Sequence, residues 1–493
     1  MNAHTFAASL AEDINAQAAQ LEAQPATFAP ELQTLLDAYT PADLRKAAED
    51  LGLAPNEKMP LKYTLVAAIR EALKQTEAQG AGLASSNGLQ YVYAAGYWHE
   101  IPTDEMKAFL TAAAIRLGMK QNEAEYFDSQ DKLYKQFIAS ARLAQPYRRP
   151  DQVLINFRNG TLEIEGQRLK LRPARPADFL KYQLPYDYDP GASCPRFMRY
   201  INRVLPDESA QKVLAEFVGN TLAPGLNLQK ALVLQGEGCN GKSVFCDIVT
   251  AVLGRDNVSA YTMESLTKQD SRSRAQLENK LLNYSGENSI KLGVEAFKTL
   301  VRGEPIEARR LYQESYTIEH YARLMFNCNL LPRDIEQSEG FFRSFLIIPF
   351  RERISEAEKD PQLAAKIITE ELPGVFNWLL EGLKRILKAR KYTYCEAARL
   401  ELEAYRKESN SVLMFIEDKA LEPAHDSKQK IMLSDLYNLY AYFCQESGFF
   451  KQNKNTFSRS LRAAGFNVGK INKGIAVFAT KGEDLPPEYD EII

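Results

Sequence analysis

The stretch "LVLQGEGCNGKSVF", residues 232–245, decides the fold of this 493-residue chain. An apolar run ends at Gln235, and the segment from Gly236 to Ser243 satisfies the pattern G-x-x-x-x-G-K-[ST]. Glycines in this pattern let consecutive backbone N–H groups turn around a phosphate, and the helix that follows points its positive end at it. The runs "KALVL" before the loop and "SVFCDIVTAVLG" after it indicate a strand and a helix. The stretch therefore predicts a nucleotide-binding α/β core.

The loop residues have distinct expected roles. Lys242 supplies a positive charge for the β- and γ-phosphates of ATP, and Ser243 can coordinate Mg²⁺. Cys239 stands at a variable position of the pattern, and a tolerated small side chain explains it better than a reactive thiol. ATP and Mg²⁺ are therefore the expected cofactors. The expected nucleotide-binding residues are Gly236, Gly238, Asn240, Gly241, Lys242 and Ser243.

Polar residues follow the later apolar strands of the same region. "KLLNYSGENS" (280–289) puts Glu287 just past a strand, and "RLMFNCNLLP" (323–332) contains Asn329 near its end. In "GFFRSFLIIPF" Arg343 comes directly before a further strand. A carboxylate at a strand end can hold Mg²⁺, and an asparagine there can orient water against the γ-phosphate. The order of these residues indicates an ATP-hydrolysing site.

Composition excludes several classes of protein. The chain is 45% hydrophobic and 25% charged with a net charge of −3, so no overall field draws it to nucleic acid. Its 6 cysteines are scattered without a CxxC pair, which argues against a zinc site or a disulfide framework. No apolar run approaches about 18 residues and no secretory leader is recognisable, so we expect a cytoplasmic protein without membrane association. The charge is uneven, because residues 1–82 carry 6 Lys/Arg and 11 Asp/Glu whereas residues 451–481 carry 7 Lys/Arg and no acid.

The amino-terminal part of the chain predicts helices. Residues 1–37 are rich in Ala, Gln and Glu, and residues 39–73 indicate two helices, with Thr40 as N-cap and Asp43 completing a capping box. This pair resembles a SAP-type helix-extension-helix module, often found on DNA. A helical bundle used for packing or assembly explains its acidic charge equally well. Residues 75–88, "QTEAQGAGLASSNG", have the composition of a linker.

Two β-hairpins are expected in the segment that follows. "LQYVYAAGYWHEI" is rich in aromatic residues, and "VLINFRNGTLEIEG" has Asn159-Gly160 as a two-residue turn between alternating apolar positions. Together with later helix signals they predict an α+β domain. Strands and helices then alternate from about 225 to 350, and residues 355–408 are strongly helical. We therefore expect a multidomain α/β protein.

The segment 454–480, "KNTFSRSLRAAGFNVGKINKGIAVFAT", predicts a helix followed by a hairpin. Phe457, Leu461 and Ala464 form an apolar stripe at helical spacing, and the two strands are expected around Gly469 and Gly474. A helix followed by a basic hairpin is the outline of a winged helix, and its charge suits a duplex backbone. A basic surface that binds no DNA is the alternative. The cations expected to bind DNA are Lys454, Arg459, Arg462, Lys470 and Lys473.

The order of the glycine loop, Glu287, Asn329 and Arg343 resembles that of the motifs in superfamily 3 helicases. More narrowly, it resembles the poxvirus-type and phage/plasmid group described as phage/plasmid primase, C-terminal. The stretches that carry the resemblance are "GEGCNGKS", "LENKLLNYSGENS", "FKTLVRGEPIEARRLYQESYTI", "LMFNCNLLP" and "FFRSFLIIPF". It continues upstream in "YVYAAGYWHEI", "INFRNGTLEIEG" and "LPYDYDPGASCPRFMRYI", and downstream into the basic segment. Only about the first 80 residues fall outside it.

This resemblance implies a role for each polar residue of the core. Lys242 and Ser243 would be the Walker A pair, Glu287 the Walker B carboxylate that shares Mg²⁺ with Ser243, and Asn329 the sensor 1 residue. Arg343 would be an arginine finger that reaches the γ-phosphate of a neighbouring subunit. The resemblance thus implies a ring, usually a homo-hexamer. It also implies translocation on single-stranded DNA in the 3′ to 5′ direction.

A β-hairpin that points into the channel of the ring is also implied. Its strands are expected near Ile306–Tyr312 and Tyr316–His320, with the tip at Gln313–Ser315. The residues that would hold single-stranded DNA are Arg309, Arg310, Tyr312 and Gln313. For the two arginines the alternative is a solvated strand face paired with Glu307 and Glu304.

At three places the chain departs from the family pattern. Asn288 follows Glu287 where many relatives have a second acid, so Glu287 alone would be the catalytic base. Residues 343–344 are Arg-Ser where relatives commonly have Arg-Arg. Gln313 stands at a tip position that is often basic, and Glu314 adds a negative charge. The last departure predicts an altered grip on DNA.

The function that these observations predict is an ATP-dependent ring helicase of a mobile element's replication system, acting on single-stranded and forked DNA beside a separate primase or initiator. We expect no primer synthesis, because no carboxylate cluster on strands and no zinc ligands precede the core. The alternatives are an ATP-switched origin-binding, melting or loader protein without processive unwinding, and a monomeric metabolic P-loop kinase. The expected domains are an N-terminal helical region (1–80), an α+β domain (83–205), an AAA+-like superfamily 3 ATPase core (206–355), a helical lid or collar (356–408) and a C-terminal winged helix (409–485).

Overall fold

The computed structural model describes most of the chain, and its contacts divide the chain into two compact units. The described residues are 28–143, 152–166, 168–286, 292–311, 314–328, 331, 339–424 and 429–480. The first unit comprises Met1–Arg149, Ile155–Leu162 and Lys170–Gln183, and the second comprises Pro150–Leu154, Glu163–Leu169 and Leu184–Ile493. Within the described ranges, no helix has both the length and the apolarity that crossing a bilayer requires.

Helices and two small sheets build the first unit. Its helices are α1 (Pro30–Ala38), α2 (Leu44–Glu49), α3 (Leu61–Ala78), α4 (Thr103–Arg116), α5 (Gln121–Ala124) and α6 (Phe127–Ser140). Its first sheet is antiparallel, in the order β1 (Gly82–Ser86), β2 (Leu89–Ala94) and β3 (Tyr97–Ile101). The second sheet has the order β4 (Gln152–Phe157), β5 (Gly160–Glu165) and β6 (Arg168–Arg172), and the boundary between the units passes through it.

The start of α2 differs from the predicted capping box. The Asp43 side chain accepts a hydrogen bond from Lys46 N at 3.0 Å and is the N-cap, so the helix begins at Leu44 and not after Thr40. The backbone N–H of Thr40 instead donates to the Gln75 side chain, at 3.0 Å. Thr40 lies in the connection before the helix because this long-range contact holds it there. The two predicted helices themselves are present as α2 and α3.

The predicted linker at 75–88 is wrong. Helix α3 continues to Ala78, and β1 pairs with β2 from Gly82↔Tyr93 to Ser86↔Leu89. Glycine suits the first position of β1, because a Cβ on Gly82 would lie only 3.0 Å from the ring of Trp98. One hydrophobic core runs from Leu32 to Ala141, across the predicted boundary near residue 80. Small-residue composition cannot distinguish a loop from a strand that lies against an aromatic ring.

Both predicted hairpins are present, with one change at a turn. Strands β2 and β3 pair from Ala94↔Tyr97 outward, as expected. In the second hairpin the turn residues are Arg158 and Asn159, and Gly160 is already the first residue of β5. Gly160 has φ of 137°, and a Cβ there would overlap the carbonyl oxygen of Arg172. Glycine is therefore required at this position by close approach as well as by turn geometry.

A parallel five-stranded sheet lies in the second unit. The strands of this part of the chain, which include a separate hairpin, are β7 (Ala231–Gln235), β8 (Val258–Ser259), β9 (Leu282–Ser285), β10 (Ile306–Arg309), β11 (Ser315–Ile318), β12 (Arg323–Cys328) and β13 (Phe345–Pro349). The sheet has the order β13-β7-β12-β9-β8, and β10 and β11 form a separate antiparallel hairpin. The run Ala231–Leu234 is buried throughout, as a strand inside a parallel sheet requires. This order places β12 between β7 and β9.

The helices of the second unit precede, connect and follow the strands of this sheet in the chain. They are α7 (Pro195–Val204), α8 (Glu208–Asn220), α9 (Lys242–Leu253), α10 (Met263–Thr267), α11 (Arg272–Ala275), α12 (Val294–Arg302), α13 (Glu339–Phe342), α14 (Leu363–Glu370), α15 (Leu372–Ala389) and α16 (Glu396–Glu408). The last three confirm the prediction that residues 355–408 are strongly helical. Helices α8 and α15 pack closely because Gly382 lies against the backbone of Ala215. The buried Glu216 of α8 accepts hydrogen bonds from Arg385 Nε (3.0 Å) and Thr393 N (2.8 Å).

The last part of the second unit has its own hydrophobic core. Its elements are α17 (Ser411–Asp418), β14 (Glu422–Pro423), β15 (Lys430–Met432), α18 (Leu433–Ser447), α19 (Lys454–Ala463), β16 (Asn467–Ile471) and β17 (Gly474–Thr480). Strand β17 pairs with β16 and also with β14 and β15, all antiparallel. Phe457 and Leu461 are buried as predicted, and Ala464 packs against the same core. The predicted helix and hairpin are thus present, although Gly469 lies inside β16 and Gly474 opens β17.

We expect Gly382→Ala to destabilise the protein. The added Cβ would overlap the backbone of Ala215 and lie 2.6 Å from Glu216 N, so α8 and α15 would have to separate. Overpacking of this kind costs about 1–3 kcal/mol, measurable as a lower midpoint of urea unfolding. Gly340→Ala is the control, because a Cβ at Gly340 meets nothing within 4 Å. Equal midpoints for the two variants would contradict this account of the helix contact.

Candidate nucleotide site

The loop after β7 is closed around the side chain of Lys242. Its ammonium donates to the carbonyl oxygen of Gly236 (2.5 Å) and to the side-chain oxygen of Asn240 (2.9 Å). Asn240 Nδ2 in turn donates to the carbonyl oxygens of Glu237 (2.7 Å) and Phe350 (3.0 Å). Lys242 is 5% exposed, and burial lowers its pKa. The loop therefore holds a poorly solvated cation at the N-terminus of α9, where an anion is favoured.

The glycines leave room that a side chain would fill. A Cβ on Gly236 would overlap Asn240 Nδ2 and the Phe350 carbonyl oxygen, and a Cβ on Gly241 would lie 2.8 Å from Val204. Gly241 has φ of 86°, a conformation that favours glycine. Gly238 meets no atom within 4 Å of an added Cβ, so that side of the loop is open. A backbone cradle with an open side and a central cation fits a phosphate group.

Helix α7, which precedes the sheet, forms part of this cradle. Tyr200 OH donates to the carbonyl oxygen of Gly241 at 2.7 Å, and Val204 lies against the same glycine. Ser243, in the first turn of α9, is exposed and can reach a cation beside the loop. The sequence carried no signal for the Tyr200 contact, because 41 residues separate the partners.

The strands of the sheet bring three ends to the edge where this loop lies. In β12, Cys328 pairs with Gln235 of β7, and Phe326 pairs with Ser285 of β9. Glu287 and Asn329, the predicted carboxylate and asparagine, lie outside the described residues. The strands that precede them in the sequence do end beside the loop. The side-chain oxygen of Gln235 is buried at this edge and has no hydrogen-bond partner within the part of the chain that the structure describes.

The segment after β13 forms a second wall of the loop, which the sequence did not predict. Phe350 N donates to Gln235 O (2.7 Å) and Ile354 N donates to Cys239 O (2.9 Å). Arg203 Nε contacts Glu358 at 3.0 Å and so ties the segment to α7. The pKa of Lys359 is raised, mainly by its hydrogen bond to Glu356 and to a smaller extent by the nearby Cys239 side chain. The alternating charges of "FRERISEAEK" were the available signal for this wall.

Arg343 lies beside the amino ends of the parallel strands β7 and β13, whereas the glycine loop lies at their carboxyl ends. It is exposed and precedes β13 by two residues, whereas the loop follows the other end of β7, the parallel neighbour of β13. Lys230 Nζ donates to the carbonyl oxygens of Arg343 (2.6 Å) and Phe345 (3.3 Å), and Ala231 N donates to Ser344 O (2.8 Å). Burial, and then the charge of Arg343, lowers the pKa of Lys230. Five strand residues of about 3.3 Å each therefore separate Arg343 from the loop of its own chain.

The predicted hairpin is present but shorter than expected. Strands β10 and β11 pair from Ile306↔Ile318 to Arg309↔Ser315. Tyr312 and Gln313 lie outside the described residues. Arg309 is exposed at the end of β10.

Arg310 is engaged by a carboxylate that the sequence did not point to. Its guanidinium lies 3.2 Å from Glu278, and its Nε donates to Tyr316 OH at 3.2 Å. Tyr316 OH donates to the same carboxylate at 2.8 Å. No signal in the sequence pointed to this partner, because Glu278 lies 32 residues away from Arg310.

The predicted basic residues of the tail are all exposed. Lys454, Arg459 and Arg462 lie on α19, and Lys470 and Lys473 lie on β16 and in the turn after it. Arg459 donates to Thr456 Oγ1 (3.2 Å) and Arg462 to Val468 O (3.0 Å). Within residues 429–480 none of these five cations forms an ion pair with an acid. Their charge is therefore available to an anionic partner.

Three family descriptions match separate segments of the chain. "D5 N terminal like" matches residues 81–206, "Family of unknown function (DUF5906)" matches 234–343, and "Poxvirus D5 protein-like" matches 407–482. The middle match contains the loop, Arg343 and the hairpin. The last match contains α19 and the β16–β17 hairpin.

Viral relatives carry helicase names. "Putative helicase L207/L206" of Acanthamoeba polyphaga mimivirus is 25% identical over 239 residues, covering 46% of this chain and 24% of that protein. "Putative helicase 121R" of Invertebrate iridescent virus 3 is 22% identical over 368 residues, covering 66% of this chain and 38% of that protein. The chain thus spans between a quarter and two fifths of the length of these relatives.

Solved structures of the NrS-1 C-terminal region are also similar. One covers 82% of this chain and 97% of that chain at 14% identity, with a TM-score of 0.47. Another covers 83% and 98% at 12% identity, with a TM-score of 0.49. The two D5 matches and the helicase-named relatives support similarity to superfamily 3 helicase-like proteins of the D5 type.

We expect Cys239 to be the thiol that reacts first in the native protein. It is exposed, whereas the other five cysteines, all described, are buried, and burial raises the pKa of Cys246 to about 12. N-ethylmaleimide should modify about one thiol per native chain, and ATP with Mg²⁺ should slow the reaction by covering the loop. Peptide mass mapping identifies the site, and Cys239→Ser is the control. Labelling at the same rate with and without nucleotide would contradict the placement of a phosphate in this loop.

Proposed function

We propose that this chain is an ATP-dependent, ring-forming DNA helicase of a mobile element's replication system. The sheet has the order β13-β7-β12-β9-β8. The observation that carries the proposal is that the glycine loop follows the carboxyl end of β7, whereas Arg343 lies before the amino end of its parallel neighbour β13. Because the two features lie at opposite ends of the strands, the arginine of one copy can complete the nucleotide site of a neighbouring copy. We infer that the sheet is an AAA+-like superfamily 3 core.

The loop would bind ATP with Mg²⁺. Lys242 would exchange its contacts with Gly236 O and Asn240 Oδ1 for phosphate oxygens, which are stronger acceptors because they are charged. Ser243 and Glu287 would hold Mg²⁺, and Asn329 would orient the attacking water. Bound Mg²⁺ neutralises charge that develops on the phosphate oxygens. The family resemblance supports the roles of Glu287 and Asn329, together with the strands that end beside the loop.

Arg343 would complete the site of the next subunit in a ring, which we expect to be a homo-hexamer. It cannot serve its own loop, because the length of β13 lies between them. Lys230 Nζ and Ala231 N hold the turn that carries Arg343 by donating to the carbonyl oxygens of Arg343 and Ser344, so the guanidinium is presented from a fixed backbone. An arginine supplied in this way stabilises the charge of the transition state.

DNA would contact the protein at two places. The hairpin of β10 and β11, with Arg309, Tyr312 and Gln313, would hold one strand in the channel and move it in the 3′ to 5′ direction. The order α17, β15, α18, α19, β16, β17 suits a winged helix whose exposed cations bind duplex phosphates. We expect a separate primase or initiator as a further partner.

We expect Lys242→Ala to abolish unwinding. Loss of the cation should lower ATP hydrolysis by about 100-fold or more, since the charge acts on the transferred phosphoryl group. Strand displacement on a forked duplex and phosphate release are measured together. Lys132→Ala is the matched control, because Lys132 is a surface lysine of α6, in the first unit, and pairs with Asp128. Full unwinding by the Lys242→Ala variant would rule out the proposed site.

The alternative is an ATP-switched protein that melts or loads DNA without processive unwinding. One observation favours it: Arg310 at the hairpin is engaged by Glu278 and Tyr316. In the same assay, ATP hydrolysis by the wild type without any strand displacement would select this alternative.

A mixing experiment tests whether Arg343 acts between subunits. Arg343→Ala and Lys242→Ala should each be inactive in ATP hydrolysis. Random mixed rings made at equal amounts should have an intact loop facing an intact Arg343 at about one quarter of the interfaces. Hydrolysis should therefore return on mixing. No recovery, in rings shown by size measurement to contain both variants, would place Arg343 outside the hydrolysis site.

A further inference from the structure

Phe450, in the connection between α18 and α19, is the most exposed large apolar side chain in the described ranges. Its relative exposure is 75%. A single exposed apolar residue is common on protein surfaces and means little by itself. The surroundings of Phe450, however, are unusual in two respects, the rigidity of its loop and the charge of its neighbours.

The loop that carries Phe450 is anchored on both sides. Gly448 ends α18 with φ of 73°, and Phe449 N donates to Cys444 O at 2.8 Å while its ring stacks on Phe443. On the other side, Gln452 N donates to Tyr440 OH at 3.0 Å and Gln452 O accepts from Tyr437 OH at 2.8 Å. Within this loop the contacts hold the flanking residues and leave Phe450 and Lys451 facing solvent. Phe450 is therefore presented from a fixed backbone.

The charged residues that follow Phe450 in the chain are cationic, whereas Glu446 precedes it. Lys451 follows it, and Lys454 begins α19, whose first turn is capped by Asn453. From Lys451 to Thr480 the chain carries six Lys/Arg and no acid. An apolar partner protein gains nothing from this concentration of positive charge, whereas a nucleic acid offers phosphates to the cations and flat base faces to the ring. The surface therefore fits DNA.

We propose that Phe450 stacks on an unpaired base where single-stranded DNA meets a duplex, while the cations of α19 and of the turn after β16 bind the duplex phosphates. This inference rests on the proposed DNA-related function and adds to it a binding site for the junction between single-stranded and duplex DNA. A paired base is already stacked on its neighbours, so the ring gains most from a base that has lost one of them. The site would therefore distinguish a fork from a blunt duplex.

Binding of the full-length protein to two DNA probes tests the inference. One is a forked duplex with 2-aminopurine as the first unpaired base, and the other is a blunt duplex of the same length. Phe450→Ala should weaken fork binding by about 5- to 150-fold, the range found when one stacking aromatic is removed, and should abolish the change in 2-aminopurine fluorescence. Binding to the blunt duplex should change by less than about twofold. Phe450→Trp should retain fork binding.

The matched control is Tyr442→Ala. Tyr442 is 64% exposed on α18 in the same part of the molecule, but it lies outside the cationic segment. This variant should bind both probes as the wild type does. Thermal unfolding of each variant is compared with that of the wild type.

Several results would overturn the inference. Wild-type fork binding by Phe450→Ala would do so while leaving the proposed helicase function intact. An equal loss on fork and blunt duplex would also do so, because it would mean that the loop supports the duplex contact only. A wild-type protein that binds neither probe would contradict the proposed function itself.

Discussion

The hydrogen bonds between β7 and β13 are the interaction on which both ends of the candidate site depend. Pairing runs from Ala231↔Phe345 to Gln235↔Pro349, and Phe350 N continues it by donating to Gln235 O. One end of this strand pair holds the turn of Arg343, and the other end holds the wall of the glycine loop. Because paired strands keep their register, a displacement of the loop would move the pair as a unit. In the proposed ring, a movement of the glycine loop in one nucleotide site would therefore also move Arg343, which serves the neighbouring site.

Much of the core could be predicted from the sequence because its signals are local. The pattern ending in Lys242-Ser243 specifies a strand, a loop and a helix within a few residues, and β7 and α9 lie where it predicts. Apolar runs ahead of Glu287 and Asn329 predicted β9 and β12. Such runs are reliable in a parallel sheet, whose strands are covered on both faces.

The contacts that shape the site could not be predicted in the same way. Asn240 is held by the carbonyl of Phe350, 110 residues later, and Arg310 by Glu278 on a different element. No local pattern specifies which of many carbonyls or carboxylates becomes the partner. The linker error at 75–88 has the same origin, since β1 is defined by its pairing with β2 and its contact with Trp98. Tertiary context decided each of these features.

The contact of α7 with Gly241 has a consequence for dissecting the protein into fragments. The matched segment that contains the glycine loop begins at residue 234, and the match before it ends at 206, yet Tyr200 and Val204 of the preceding helix already contact Gly241 of this loop. A recombinant fragment that starts at either point lacks α7 and so leaves Gly241 without this contact, and one that starts at 234 also lacks α8 and most of β7. An expression boundary ahead of Pro195 keeps that contact, so the smallest useful fragment that contains the candidate nucleotide site is longer than its sequence motifs suggest.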